Sequence, residues 1–193
     1  MALKNTETSW GWAARALHWI IGGLMIFMLG LGFYMTEIVT DIFAKFPLIQ
    51  LHKSWGFVVF VLAGLRLFWR AVNPTPALPA SMTGWEKLFA HGGHIALYLL
   101  MFALPLSGWL MSSASPLNDV DAYPAQIKNM VFGVFEMPDP IQPSNEALLE
   151  LFKSIHFYCA LAMAALLVGH AGAALKHHFV DKDNTLTRMI TGR

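Results

Sequence analysis

Charge is the scarcest property of this chain. Only 13% of its 193 residues are Asp, Glu, Lys or Arg, about half the share of an ordinary soluble domain. Such a chain has too few solvated side chains to cover a water-soluble globule, so the deficit points to a membrane protein. Cysteine is nearly absent: Cys159 stands alone, which excludes an internal disulfide. There is no C-x-x-C-H, which excludes the usual covalent attachment of a c-type haem. There is no internal repeat and no low-complexity tract. No small-x-small cleavage site follows the first apolar run, and that run is too long for the apolar region of a signal peptide, so it is read as a retained helix. The formal net charge of +1 is uninformative until the charges are sorted by side, and no nucleic-acid partner is expected.

What is abundant is apolar sequence: 56% of the residues are hydrophobic. Crossing a bilayer takes about 20 apolar residues, and four runs qualify: residues 16–35, 51–69, 92–111 and 155–174. The second is less pure, carrying Lys53 and Arg66. Pro105 is expected to kink the third run without ending it, because membrane helices tolerate proline. The prediction is an all-α integral membrane four-helix bundle, a single domain over residues 1–193, surrounded by membrane lipid. The segment 112–154 is the longest loop and is expected to form a structured outer cap. Its last part, "SNEALLELFK", has helical character with Ser144 or Asn145 as N-cap.

Four spans put both termini on one side. With the N-terminus inside, the inner segments hold Lys4, Arg15, Arg66, Arg70, Lys87, Lys176, Lys182, Arg188 and Arg193, against Lys45, Lys53, Lys128 and Lys153 outside. Nine against four places both termini in the cytoplasm by the positive-inside rule. The acids lean outward: Glu37, Asp41, Asp119, Asp121, Glu136, Asp139, Glu146 and Glu150 leave the outer face net acidic.

Imidazoles are costly inside a membrane and mark functional sites by default. His156 and His170 lie fourteen residues apart in the fourth run. At 100° per residue they fall within about 40° of one face, about 21 Å apart along the axis. His18 starts the first run at the inner level, and His52 starts the second at the outer level. The levels match in pairs, His18 with His170 and His52 with His156. Two histidines on facing helices at each level suit bis-imidazole haem iron. Zinc would want three or four ligands at one level, and the outer level offers two histidines and no second cysteine. Gly22, Gly56 and Ala160, each one turn from a histidine, could let a flat ring approach. Small residues also serve plain helix packing. His94 and His177 at the inner end are candidates for holding and protonating a quinone, whereas His91 and His178 read as interfacial. Cys159 and Met163 are expected to pack.

The segments "ALHW", "LHKSWG", "GHIALYLLMFALPLSG", "IHFY" and "GHAGAALKHHFVDKDNTLTRM" give the chain, over nearly its whole length, a resemblance to the bacterial cytochrome b561 family of di-haem membrane proteins. The resemblance implies two non-covalent haem b groups, one on the positions of His18 and His170 and one on those of His52 and His156. It also implies ubiquinone contact at His94 and His177, as in relatives that oxidise superoxide. The expected function is electron transfer across the bacterial inner membrane between the quinone pool of a respiratory chain and a periplasmic partner. Three other readings stand beside it. The first is a superoxide:ubiquinone oxidoreductase, against which the acidic outer face weighs, since capture of an anion gains from basic steering. The second is the cytochrome b anchor subunit of a larger oxidoreductase. The third is a histidine-based proton or metal transporter. Oligomeric state and direction of electron flow are not set by the sequence.

Overall fold

The computed structural model describes residues 2–118 and 128–192. Asp119, Asp121 and Arg193, counted above in the charge balance, lie outside them. Four helices are long and apolar enough to cross a membrane: α1 (Trp12–Phe33), α2 (Ile42–Ala71), α3 (Gly84–Ser113) and α4 (Glu146–Phe179). A π-turn, Tyr34–Ile38, extends α1. A two-stranded hairpin, β1 (Met130–Val131) and β2 (Phe135–Glu136), lies between α3 and α4, and α5 (Thr185–Ile190) follows α4. The all-α membrane fold expected from the apolar runs is therefore present.

Each long helix extends past its apolar run, and local chemistry explains where it starts. Asp41 accepts the Phe43 N–H at 3.0 Å ahead of α2. Thr83 and Glu86 form a reciprocal capping box before α3: the Thr83 N–H donates to Glu86 at 2.8 Å and the Glu86 N–H to the Thr83 hydroxyl at 3.3 Å. Asn145 caps α4 by accepting the Leu148 N–H at 3.0 Å. The helical character expected of "EALLELFK" is that of the first two turns of α4, because nothing between Phe152 and His156 breaks the helix. α3 continues through Pro105.

The chain packs as two compact units, each drawing on all four long helices. The first comprises residues 1–23, 62–100 and 163–193, the second residues 24–61 and 101–162. In the second unit, Met25, Met28, Leu31, Val59, Met101 and Leu104 are buried. The hairpin is stapled to α2 there: Ser54, almost fully buried, accepts the Phe132 N–H at 2.9 Å and donates to the Gln50 carbonyl at 2.8 Å. Phe132 and Gly133 turn the hairpin with positive φ. Lys53 donates to Asn129 at 2.7 Å and to Ser112 at 3.3 Å, and the Asn129 amide donates to Asp139. Burial raises the Asp139 carboxyl above its ordinary value.

In the first unit, Ile21, Ala63 and Met163 are buried, and the terminal segments interlock. The N-terminal arm folds back so that the Trp12 N–H meets the Ala2 carbonyl at 3.0 Å. Asn5 donates to the Pro74 carbonyl and accepts the Gly11 N–H, both at 3.0 Å. α5 is held by Arg15 and Trp19, which donate to the Met189 carbonyl at 3.3 and 3.1 Å, and by Arg188, which donates to the Ala77 carbonyl at 2.9 Å. Large apolar side chains such as Ile26, Phe68, Leu99 and Val168 point outward, as lipid contact requires.

Gly11 is where the returning arm passes closest. A Cβ there would lie 2.3 Å from the Leu3 carbonyl oxygen. Gly11→Ala is expected to destabilise the protein by about 1–3 kcal/mol, read as a lowered thermal midpoint in detergent. Gly30→Ala, where a Cβ meets nothing within 4 Å, is expected to be neutral or slightly stabilising.

Candidate functional site

In the second unit, His52 on α2 and His156 on α4 face each other with ring centres 6.2 Å apart. α3 positions His156. Its Nδ1 lies 3.0 Å from the Leu104 carbonyl and 3.1 Å from the Ser107 hydroxyl, and Ser107 itself donates to the same carbonyl at 3.0 Å. The carbonyl can only accept, so Nδ1 carries the proton and Nε2 keeps its lone pair. Gly108 makes room for the ring, since a Cβ there would sit 3.1 Å from His156 Cε1. His52 rests near Gly32, where a Cβ would be 3.5 Å from its Cε1, and its Nδ1 is buried without a partner among the described residues.

In the first unit, His18 on α1 and His170 on α4 have ring centres 6.0 Å apart. The Arg66 guanidinium of α2 donates to His18 Nδ1 at 3.2 Å, and the Trp19 ring stands edge-on to His18. His94 of α3 packs against His170, ring centres 5.5 Å apart. A Cβ at Gly22 meets nothing within 4 Å, whereas one at Gly56 would touch the Met28 methyl at 3.7 Å. Gly22, one turn from His18, thus borders open space, but Gly56 faces an ordinary packing neighbour.

Both imidazole pairs suit a six-coordinate iron. Metal–imidazole bonds are about 2 Å long, so ring centres 6.0 and 6.2 Å apart are compatible with one metal ion held by both rings of a pair. The donor chemistry, two neutral imidazoles per pair, is that of bis-histidine haem.

His177 is engaged differently. It is buried, with Nδ1 2.7 Å from Asp183 and 3.0 Å from Asp181. Lys176 ties Asp181 to Glu86 at 2.7 and 2.9 Å. Among the described residues, His177, Asp181 and Asp183 are the one group of three such side chains close enough to share an ion, but the Lys176 ammonium already occupies the Asp181 carboxylate. Burial works against the charge of Asp183. The Thr185 N–H at 2.8 Å and His177 nevertheless hold its carboxyl below the ordinary value. His91 is exposed and bonds the Lys87 carbonyl at 2.7 Å; His178 stacks edge-on to Phe179. Met163 is fully buried and Cys159 half-buried.

Sequence reasoning missed Leu104, Ser107 and Gly108 around His156, Arg66 beside His18 and Asp183 beside His177. Asp183 had a local signal, an acid six residues past a histidine at a helix end. The others meet their partners across helices, at separations of 48 to 52 residues, which no local pattern encodes.

A family model described as prokaryotic cytochrome b561 matches residues 9–192. The chain is 35% identical over 192 residues to cytochrome b561 homolog 2 of Escherichia coli (strain K12), covering 98% of this chain and 95% of the relative. It is 33% identical over 144 residues to cytochrome b561 homolog 1 of the same organism, 75% of each chain. It is 34% identical over 142 residues to the probable superoxide oxidase CybB of Yersinia pestis, 73% of each.

Asp183→Asn should weaken the anchoring of His177. Stability at neutral pH is expected to fall by about 1.5–3 kcal/mol, the scale of a hydrogen bond to a charged group. The depressed carboxyl stabilises the native state above the ordinary aspartate value of 3.8 and stops doing so as pH falls through its lower native value. Thermal midpoints of the two proteins should therefore converge in acid.

Proposed function

Because the chain belongs to the prokaryotic cytochrome b561 family, a family of b-type haem membrane electron carriers, we propose that it passes electrons across a bacterial inner membrane between the quinone pool and a periplasmic redox partner. Both termini lie in the cytoplasm in this reading, from the charge bias of the sequence. His18 and His170 hold one haem b near the inner surface, and His52 and His156 hold a second near the outer. The observation that carries this is the pair of facing imidazole couples, each with ring centres about 6 Å apart.

Bound haem supplies a one-electron iron couple; the protein supplies ligands, orientation and proton handling. The Leu104 carbonyl and Ser107 hydroxyl hold the His156 proton on Nδ1 and aim Nε2 as the ligand, a support that fixes ring orientation and raises basicity. His94 and His177 are assigned to the quinone carbonyls at the inner end. His177 Nδ1 faces Asp183, so a proton taken up or released at its other nitrogen has a carboxylate behind it.

A second reading, oxidation of superoxide outside with delivery of electrons to quinone, is favoured by the similarity to the probable superoxide oxidase. Against it, the cation nearest His52 in sequence, Lys53, is already engaged by Asn129 and Ser112.

A reduced-minus-oxidised spectrum of the purified protein is expected to show b-type bands accounting for two haems; their absence would refute the haem assignment. His156→Ala should remove about half the haem and spare the species that His18→Ala removes. In stopped-flow experiments quinol is expected to exchange electrons with the haems, and His177→Ala to slow that exchange about tenfold or more with haem content intact. Haem reduction by superoxide as well would establish the second reading.

A further inference from the structure

Arg66 and Arg70 lie one turn apart on α2, inside a membrane-length helix, a spacing at which like charges repel. Both guanidinium carbons lie over the Tyr98 ring, at 5.9 and 5.6 Å from its centre. Neither arginine forms an ion pair with a carboxylate among the described residues. Charges in such positions are normally paired. The two line a small recess with Asn5, Trp10, Trp69 and Tyr98, and the Trp69 indole N–H is buried with no acceptor among the described residues. Arg66 reaches the Ala14 carbonyl at 3.5 Å and His18, but two guanidinium groups with no carboxylate partner among the described residues, beside the Trp69 N–H, make this recess suited to an anion.

The contact with His18 points to which anion. A guanidinium only donates, so with Arg66 on Nδ1 the neutral His18 ring carries its proton on Nε2. Ligating iron through Nε2 requires the opposite tautomer, with the proton on Nδ1. Arg66 must then give up this acceptor and needs another close by. We propose that Arg66 and Arg70, with the Trp69 N–H, form the carboxylate site for the propionates of the haem held by His18 and His170. This rests on the haem assignment above. Haem b carries two carboxylates, and a guanidinium fork binds such a group through two parallel hydrogen bonds. Loading would replace a repelling cation pair by a neutralised cluster and free His18 to ligate.

Arg66→Gln, Arg70→Gln and the double variant are tested in the full-length holoprotein by potentiometric titration and haem quantification. A cation beside a haem favours its reduced form. The midpoint potential of the haem that His18→Ala removes is therefore expected to fall in the variants, while the other stays in place. The haem-depleted full chain should bind iron protoporphyrin IX about tenfold or more tightly than its dimethyl ester, the scale of one charge-assisted hydrogen bond. That preference should approach parity in the double variant. Unchanged potentials with the preference retained would overturn the proposal. So would a loss of co-purifying phospholipid phosphorus with both potentials unmoved, which would assign the recess to a lipid phosphate. If the glutamine variants do not accumulate, Arg66→Lys keeps the charge and loses the fork, and is expected to reduce the preference for the free acid; full retention would refute the site. If His18→Ala loses no haem, the haem assignment fails first, separately from the arginine site.

Discussion

A polar group placed within a membrane-length helix must find its partner inside the protein, because hydrocarbon supplies none. Most of the polar architecture of this chain follows from that constraint. His156 hands its Nδ1 proton to the Leu104 carbonyl and the Ser107 hydroxyl. Ser54 spends its hydroxyl on the Gln50 carbonyl and the Phe132 N–H, and in doing so ties a hairpin to α2. Lys53, beside His52, is neutralised through Asn129 and Asp139. Each expensive group is thereby turned into a positioning device. Of the few left unsatisfied among the described residues, His52 Nδ1 and the Trp69 N–H belong to the two places where a prosthetic group is proposed.

The two units use the same helices for different tasks. In the second, α3 acts as a support: Leu104, Ser107 and Gly108 shape and orient one ring of the His52–His156 pair. In the first, α3 contributes His94 directly against His170, so the environment of that imidazole is set by another imidazole and by nearby arginines rather than by a carbonyl. Two imidazole pairs thus acquire different electrostatics, which under the proposed haem assignment would give the two groups unequal potentials. The first unit also carries the interlocked termini, so His177, Asp183 and α5 belong to one body with the His18–His170 pair.

The membrane class, the four apolar runs and the sorting of histidines into two pairs were all legible in the sequence. They depend on composition and on the 100° helical step, which are local properties. Helix starts were legible where caps are local, as at Asn145 and in the Thr83–Glu86 box. The expected span 155–174 understates α4 because an apolar run marks hydrocarbon, not the ends of a helix, and α4 continues beyond both ends of its run.

Composition and helical periodicity specify which residues can occupy one face and one depth of each helix, since backbone periodicity is independent of neighbours. How the helices rotate against one another is set by packing in three dimensions. That rotation brings Arg66 to His18 and Gly108 under His156, and lets Asp183 fold back onto His177. It selects the hydrogen-bonded form of His156 and brings Arg66 and Arg70 together over the Tyr98 ring. Such choices come from side-chain packing between helices distant in sequence, where the closest permissible approach is set by shape and no repeat along the chain records it.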